Sequence, residues 1–149
     1  MAQTAVLYKV LQVKEQEKNQ AQIERVQAVE QFEIVANKLY DQLKKKEVAE
    51  KKLSHKMREQ FTMEIMKEQS RYINNLSSKI VTLQHHVQQA RKKMEVTQEL
   101  LNEAFIEVKK IEKMIDIREQ EKNAEERILE AALMDEMSMR QYNKQVQNR

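Results

Sequence analysis

Apolar residues recur along this chain at helical spacing, and the second half carries the cleaner pattern. Steps of seven from Met66 give Met66, Ile73, Ile80, Val87, Met94, Leu101, Val108 and Ile115, all apolar. Three residues further on stand Gln69, Leu76, Leu83, Ala90, Thr97, Ala104, Ile111 and Arg118. These are the a and d positions of a heptad, and a seven-residue repeat held this long predicts a left-handed coiled coil. Asn74 and Asn75 do not interrupt it, because Ile73 and Leu76 on either side stay in phase.

The first half is less regular. Leu7, Leu11, Ala21, Ala28, Phe32, Val35, Leu39, Ala49 and Leu53 keep a register that Lys14, Lys18, Arg25, Gln42 and Lys46 interrupt. Val26, Val29, Ala36, Tyr40 and Leu43 widen the apolar stripe to one side, and a stripe broader than a and d predicts more than one contact face. Pairs such as Glu47 with Lys51 and Glu107 with Lys110 add only a few tenths of a kcal/mol each. Burial along the seam must supply most of the stability.

Between the halves the first register ends at Leu53 and the second begins at Met66. Thr62 is suited to cap a helix, with Glu64 in the first turn where a negative charge meets the positive helix end. A hinge near Arg58 to Phe61 folds the chain into an antiparallel hairpin that sets Leu53 by Met66, Leu39 by Ile80 and Phe32 by Val87. The first arm, about 55 residues, is ~80 Å of helix, and its start meets the second arm near Ile115. The remainder is left without an intramolecular partner, yet it holds Ile128, Leu129, Ala131, Ala132, Leu133, Met134, Met137 and Met139. Apolar residues in that number imply a partner that covers them. The register slips between Arg118 and Glu126, which allows a bend. The expected fold is all-α, two long helices in an antiparallel coiled-coil hairpin with a C-terminal helical overhang. It is read as one elongated unit, with helices at about 5–57 and 63–118, a hinge at about 58–62 and the overhang at about 119–149.

Composition sharpens this picture through an absence. The chain has 149 residues and no Gly, Pro or Cys. Average usage would give about 18 glycines and prolines, the residues that supply tight turns, left-handed caps and kinks. A chain without them has few corners, and its function must be one that a rod can perform. Charged residues make up 34% and aromatics 5%, with a mean hydropathy of −0.83, which suits a seam between helices and not a globular core. The net charge of +3 comes from finely mixed Lys and Glu. Such mixing reads as a solvated face, and the runs Lys44-Lys45-Lys46 and Arg91-Lys92-Lys93 lack the interleaved aromatics of a nucleic-acid surface. No stretch approaches the ~20 apolar residues that span a bilayer. The segment Met1 to Val13 is broken by Lys9 and Gln12 and does not read as a signal peptide. Lack of cysteine fits a reducing cytoplasm and leaves no thiolate metal site.

Catalytic signals are missing as well. There is no Gly-rich phosphate loop. Of the three histidines, His85 and His86 are adjacent and so point about 100° apart on a helix, and His55 stands alone. The many Glu residues fall on exposed helix faces, where nothing tunes them for acid-base work. No enzymatic activity, cofactor, small-molecule substrate or metal is expected. Methionines at seam positions, Met66 and Met94, are packing residues, whereas Met134, Met137 and Met139 form the better candidate for an adaptable recognition surface.

Specific residues resemble the FliJ family, small soluble components of the flagellar type III export apparatus. The opening Tyr8-Lys9-Val10-Leu11-Gln12-Val13-Lys14-Glu15 is similar to that family's aromatic-x-Val-Leu-x-apolar-Lys-Glu start. Past the hinge, Arg71-Tyr72-Ile73-Asn74-Asn75-Leu76 resembles its aromatic-Ile-x-x-Leu signature. The segments Ala90-Arg91-Lys92-Lys93-Met94 and Ile106-Glu107-Val108-Lys109-Lys110-Ile111-Glu112-Lys113 are similar to the second helix of Gram-positive-type members. Met134-Asp135-Glu136-Met137 resembles the family's Met-Asp-Glu-apolar tail. The likeness runs through the whole chain in order.

The resemblance implies a stalk and adaptor. Members resemble the two-helix stalk of rotary ATPases, are thought to insert into the ring of the export ATPase FliI, contact the export-gate membrane protein FlhA and pass along empty export chaperones. It implies a gate-binding stripe at Tyr72, Leu76, Lys79 and Leu83, where Lys79 and Leu83 depart from the small and polar residues of some members. Leu76 and Leu83 are also d positions and read equally as core, while Tyr72 is at a flanking g position. It implies that Leu7, Tyr8 and Leu11, with Met134, Asp135, Glu136 and Met137, face the ATPase ring. The implied place is the cytoplasm, against the inner face of the membrane at the flagellar base, with the protein a monomer when alone. Two other readings stay open from the residues: an unrelated coiled-coil scaffold forming a parallel homodimer, and an amphipathic protein that lies on anionic lipid through its Lys runs.

Overall fold

The computed structural model describes residues 2–59 and 62–148. It contains two helices, α1 (Ala2–Met57) and α2 (Met63–Gln147), packed antiparallel as a hairpin. Among the described residues there is no strand and no positive φ. α1 tightens at its end, where the Arg58 and Glu59 amides donate to the His55 and Lys56 carbonyls three residues back. His55 and Lys56 lie in that last turn, where positive charge meets the negative helix end. α2 opens on Thr62, whose Oγ1 accepts from the Ile65 amide at 3.4 Å, with Glu64 in the first turn. Of the expected hinge, Gln60 and Phe61 lie outside the described residues.

The chain divides into two compact units, Lys18–Glu103 and the paired segments Met1–Glu17 with Ala104–Arg149. In Lys18–Glu103 every a and d position of α2 from Met66 to Leu101 is buried or half-buried, with Leu76, Ile80, Val87 and Thr97 the deepest. Thr97 satisfies its hydroxyl within its own helix, at 2.9 Å from the Lys93 and Met94 carbonyls. The Arg91 guanidinium lies 6.0 Å from the Phe32 ring, one helical turn beyond Val87, where the hairpin register puts it.

On α1 the structure corrects the reading of an interrupted register. Lys18, Gln42 and Lys46 keep the heptad step and sit half-buried in the seam between Ala21, Ala28, Phe32, Val35, Leu39, Ala49 and Leu53; only Arg25 turns out to solvent. Long side chains can lay their methylene stems on an apolar stripe while the charged end reaches water. The Lys46 ammonium does this 3.9 Å from Glu50. The widened stripe is only partly used, since Val29 and Ala36 are half-buried while Val26, Tyr40 and Leu43 are exposed. A two-helix seam is open on both flanks, so no large side chain among the described residues is wholly enclosed.

Gln42 is a costly feature of this seam. Its Oε1 is buried without a hydrogen-bond partner among the described residues. A buried unpaired acceptor costs about 1–3 kcal/mol. Gln42→Leu is therefore expected to raise the unfolding free energy by about 1–2 kcal/mol in urea denaturation, since it removes that acceptor and adds apolar area. A loss of stability would show that the amide has a partner in solution.

In the other unit Leu7, Val108 and Ile115 are buried, and Leu11, Lys14, Ala104, Ile111 and Arg118 are half-buried. Lys14 repeats the behaviour of Lys46, its ammonium 3.5 Å from Glu17. The N-terminus is tied to α2 by Arg118 Nη1 donating to Gln3 Oε1 at 3.2 Å and by the Tyr8 hydroxyl donating to Glu119 Oε1. From Glu119 to Asn148 every residue is exposed, although α2 runs unbroken to Gln147. The register slip after Arg118 leaves no gap in the helix. With neither Pro nor Gly present, nothing interrupts the backbone ladder.

Candidate interaction surfaces

In the unit Lys18–Glu103, the turns after Thr62 place Tyr72 at a g position on the rim of the seam, where it is 48% exposed. Leu76, one turn on, is 4% exposed and belongs to the seam itself. Lys79 is exposed and Leu83 half-buried. Of the four residues in the expected gate stripe, Tyr72 and Lys79 are thus open to a partner, while Leu76 and Leu83 hold the helix that presents them.

The structure adds Lys44 and Lys45, which the sequence reading treated as part of a solvated charge run, and Lys52, which that reading did not single out. Lys44, Lys45 and Lys52 of α1 line a groove of about 660 Å³ with Tyr72 and Gln69 of α2, over Val48 and Ala49. The Lys44 ammonium lies 5.9 Å from the Tyr40 ring. The signal was available in the heptad phase, because Lys45 and Lys52 fall at g positions and so point to the same flank as Tyr72. A smaller groove joins Gln42 to Ser78, Lys79, Thr82 and Leu83 on that flank.

In the other unit Leu7 is buried, Leu11 half-buried and Tyr8 exposed. The hydrogen bond to Glu119, a degree of desolvation and the carboxylate's charge raise the Tyr8 phenol above its usual value of 10.0. Gln3 and Thr4 share a shallow groove with Arg118, Glu121, Lys122, Glu125, Glu126 and Leu129. Met134, Asp135, Glu136 and Met137 lie further along α2 in the wholly exposed segment, so the structure does not bring them against Leu7 and Leu11. That segment shows large apolar side chains to solvent, with Ile128 and Leu129 each 69% exposed.

Groups able to do chemistry are dispersed. His55, His85 and His86 are exposed on helix surfaces. Among the described residues no three His, Cys, Asp or Glu side chains converge to hold a metal ion. No helix among them is long and apolar enough to cross a membrane.

Fold and surface together define a two-helix coiled-coil protein with grooves on a flank of its seam and exposed apolar side chains along the end of α2. The sequence profile of the family described as Flagellar FliJ protein matches residues 3–147. The chain is also 36% identical over 134 residues to the Flagellar FliJ protein of Bacillus subtilis (strain 168), covering 90% of this chain and 91% of that relative. No solved structure matches it. The chain belongs to the FliJ family and is a flagellar export-related protein, from a family that is generally not catalytic.

Proposed function

We propose that the chain is a non-enzymatic stalk and adaptor of the flagellar export apparatus. It works as one elongated unit, a monomer when alone, that links the export ATPase ring FliI to the gate protein FlhA and escorts export chaperones. It acts in the cytoplasm, held at the inner face of the membrane by these partners. Tyr72, supported by Leu76 and flanked by Lys79 and Leu83, meets the gate. Leu7, Tyr8 and Leu11, with Met134, Asp135, Glu136 and Met137, belong to the end that engages the ATPase. FliJ membership over residues 3–147 carries this reading. It is supported by a hairpin whose aromatic at the expected gate position stays on the surface, and by a C-terminal stretch of α2 whose residues from Glu119 to Asn148 are all exposed.

Tyr72→Ala tests the gate contact. A g-position side chain lies mostly outside the seam, so melting is expected to change little. Binding to the purified cytoplasmic part of FlhA is expected to weaken by about 1 kcal/mol or more, the cost of losing an aromatic anchor at an interface. Unchanged affinity in a titration would remove Tyr72 from the contact. A dimer mass in sedimentation equilibrium would favour the coiled-coil scaffold instead.

A further inference from the structure

In an antiparallel two-helix coil the g positions of one helix flank the g positions of the other, and opposite charges there set the pairing. This chain departs from that rule over part of one flank. The g positions of α1 toward its end are Lys38, Lys45 and Lys52, and those of α2 after its start are Tyr72, Lys79, His86 and Lys93. None is acidic. Elsewhere the same heptad position carries Glu17 and Glu24 on α1 and Glu107 on α2. Among the described residues none of Lys38, Lys44, Lys45, Lys52, Lys79 and Lys93 forms an ion pair, whereas Glu17 and Glu107 both do. Lys93 shares a groove with Glu24 across the seam, so the excess of positive charge is local to the stretch around Lys44, Lys45 and Lys52, where Asp41 is the nearby acid.

The same stretch carries the groove of about 660 Å³. Its floor is open because Ala49, a seam residue, is too short to fill the layer, and Val48 and the Tyr72 ring add apolar walls. Lys44, Lys45 and Lys52 stand around it with Asp41 as the single acid in the lining. An apolar recess rimmed by ammonium groups that form no ion pair matches an amphipathic occupant of opposite charge. A flat lipid surface would reach the lysines but not the recess, and Asp41 would repel its phosphates.

We infer that this groove binds an acidic protein segment, one that seats an apolar side chain on Val48, Ala49 and Tyr72 and pairs its carboxylates with Lys44, Lys45 and Lys52. The inference deepens the gate-facing reading of Tyr72 and rests on it for the groove's exposure to a partner. It adds that α1 supplies half of the site and that the contact is electrostatically one-sided. Salt therefore weakens it, because exposed charge pairs are screened within about 10 Å at ordinary ionic strength.

The test places the photo-crosslinking residue p-benzoylphenylalanine at Val48 in the full chain, in its host cell, and sequences the attached peptide by mass spectrometry. A crosslinked protein segment with net negative charge and a large apolar residue is expected. Lys45→Glu with Lys52→Glu is expected to cut the yield about tenfold or more through like-charge repulsion across the interface, while Lys45→Arg with Lys52→Arg keeps it. Circular dichroism melting of the Glu variant beside the parent separates a lost crosslink from lost folding, and a crosslink lost with the fold intact is the expected result. A neutral or basic segment, a lipid adduct, or a yield unchanged by charge reversal overturns the inference. If charge reversal has no effect while Tyr72→Ala still weakens FlhA binding, the gate reading stands without it. If the crosslinked acidic segment belongs to another protein and Tyr72→Ala leaves FlhA binding unchanged, the groove's chemistry stands and the gate reading falls.

Discussion

Truncation after Arg118 is expected to abolish engagement of the export ATPase while leaving gate binding intact. The segment removed contains Ile128, Leu129, Leu133, Met134, Met137 and Met139, all more than half exposed on an unbroken helix. Keeping that much apolar surface in water is unfavourable at about 25 cal/mol per Å², and a partner that covers it gains the same amount. The seam itself loses nothing, since every residue from Glu119 to Asn148 is exposed. One tie is cut, the Tyr8 bond to Glu119, and Glu119→Ala in the full chain serves as the control for it. Gate binding is spared because Tyr72 belongs to the unit Lys18–Glu103, which includes none of the removed residues. The measurement is ATPase stimulation and ring assembly by purified FliI beside FlhA affinity. A truncated protein that still drives ring assembly normally would reassign the tail to chaperone docking or to solubility alone.

Leu76→Ala is expected to be the most damaging single substitution near the candidate gate surface, at about 2–5 kcal/mol of stability. Leu76 is among the most enclosed large side chains, and Gln42 and Lys46 nearby in the α1 register already weaken the apolar content of that stretch. The loss is expected at the lower end of that range, because a two-helix seam open on both flanks collapses onto a small cavity more readily than a closed core. Tyr72→Ala, only four residues away, is expected to leave the melting temperature nearly unchanged. The two variants compared by circular dichroism separate a scaffold role from a contact role. If they melt alike, Tyr72 is structural and the surface reading of that residue fails.

The seam of α2 was fully legible. All sixteen of its a and d positions from Met66 to Arg118 are buried or half-buried, because apolar residues there mark the heptad unambiguously. α1 was legible only in part. Hydrophobicity alone scores Lys14, Lys18, Gln42 and Lys46 as breaks, but a long side chain can occupy a seam position with its stem and keep its head in water. The turn was also readable, from the gap between the registers and from Thr62, although Gln60 and Phe61 lie outside the described residues. Among the surface residues, Tyr72 followed from its g position. Lys45 and Lys52 share that g phase, but Lys44 and Lys45 were read as part of a solvated charge run, and what faces them on α2 is set by the pairing of the helices.

Periodicity, together with the lack of Gly, Pro and Cys, determined by itself that this protein is helical and which stripe of α2 packs, whereas α2 runs on unbroken to Gln147, past the 118 expected for its end. Those properties are local, since helix formation and heptad phase depend on residues within a turn or two of one another. Tertiary structure alone decided which polar residues of α1 enter the seam, that Ala49 leaves a recess, and that lysines distant in sequence from Tyr72 stand around the same groove. It also decided that Gln3 and Tyr8 are tied to Arg118 and Glu119 while Met134 to Met137 remain without a partner among the described residues. These depend on which residues of one helix lie across from which residues of the other. That pairing is a property of the folded hairpin and is not written in either helix on its own.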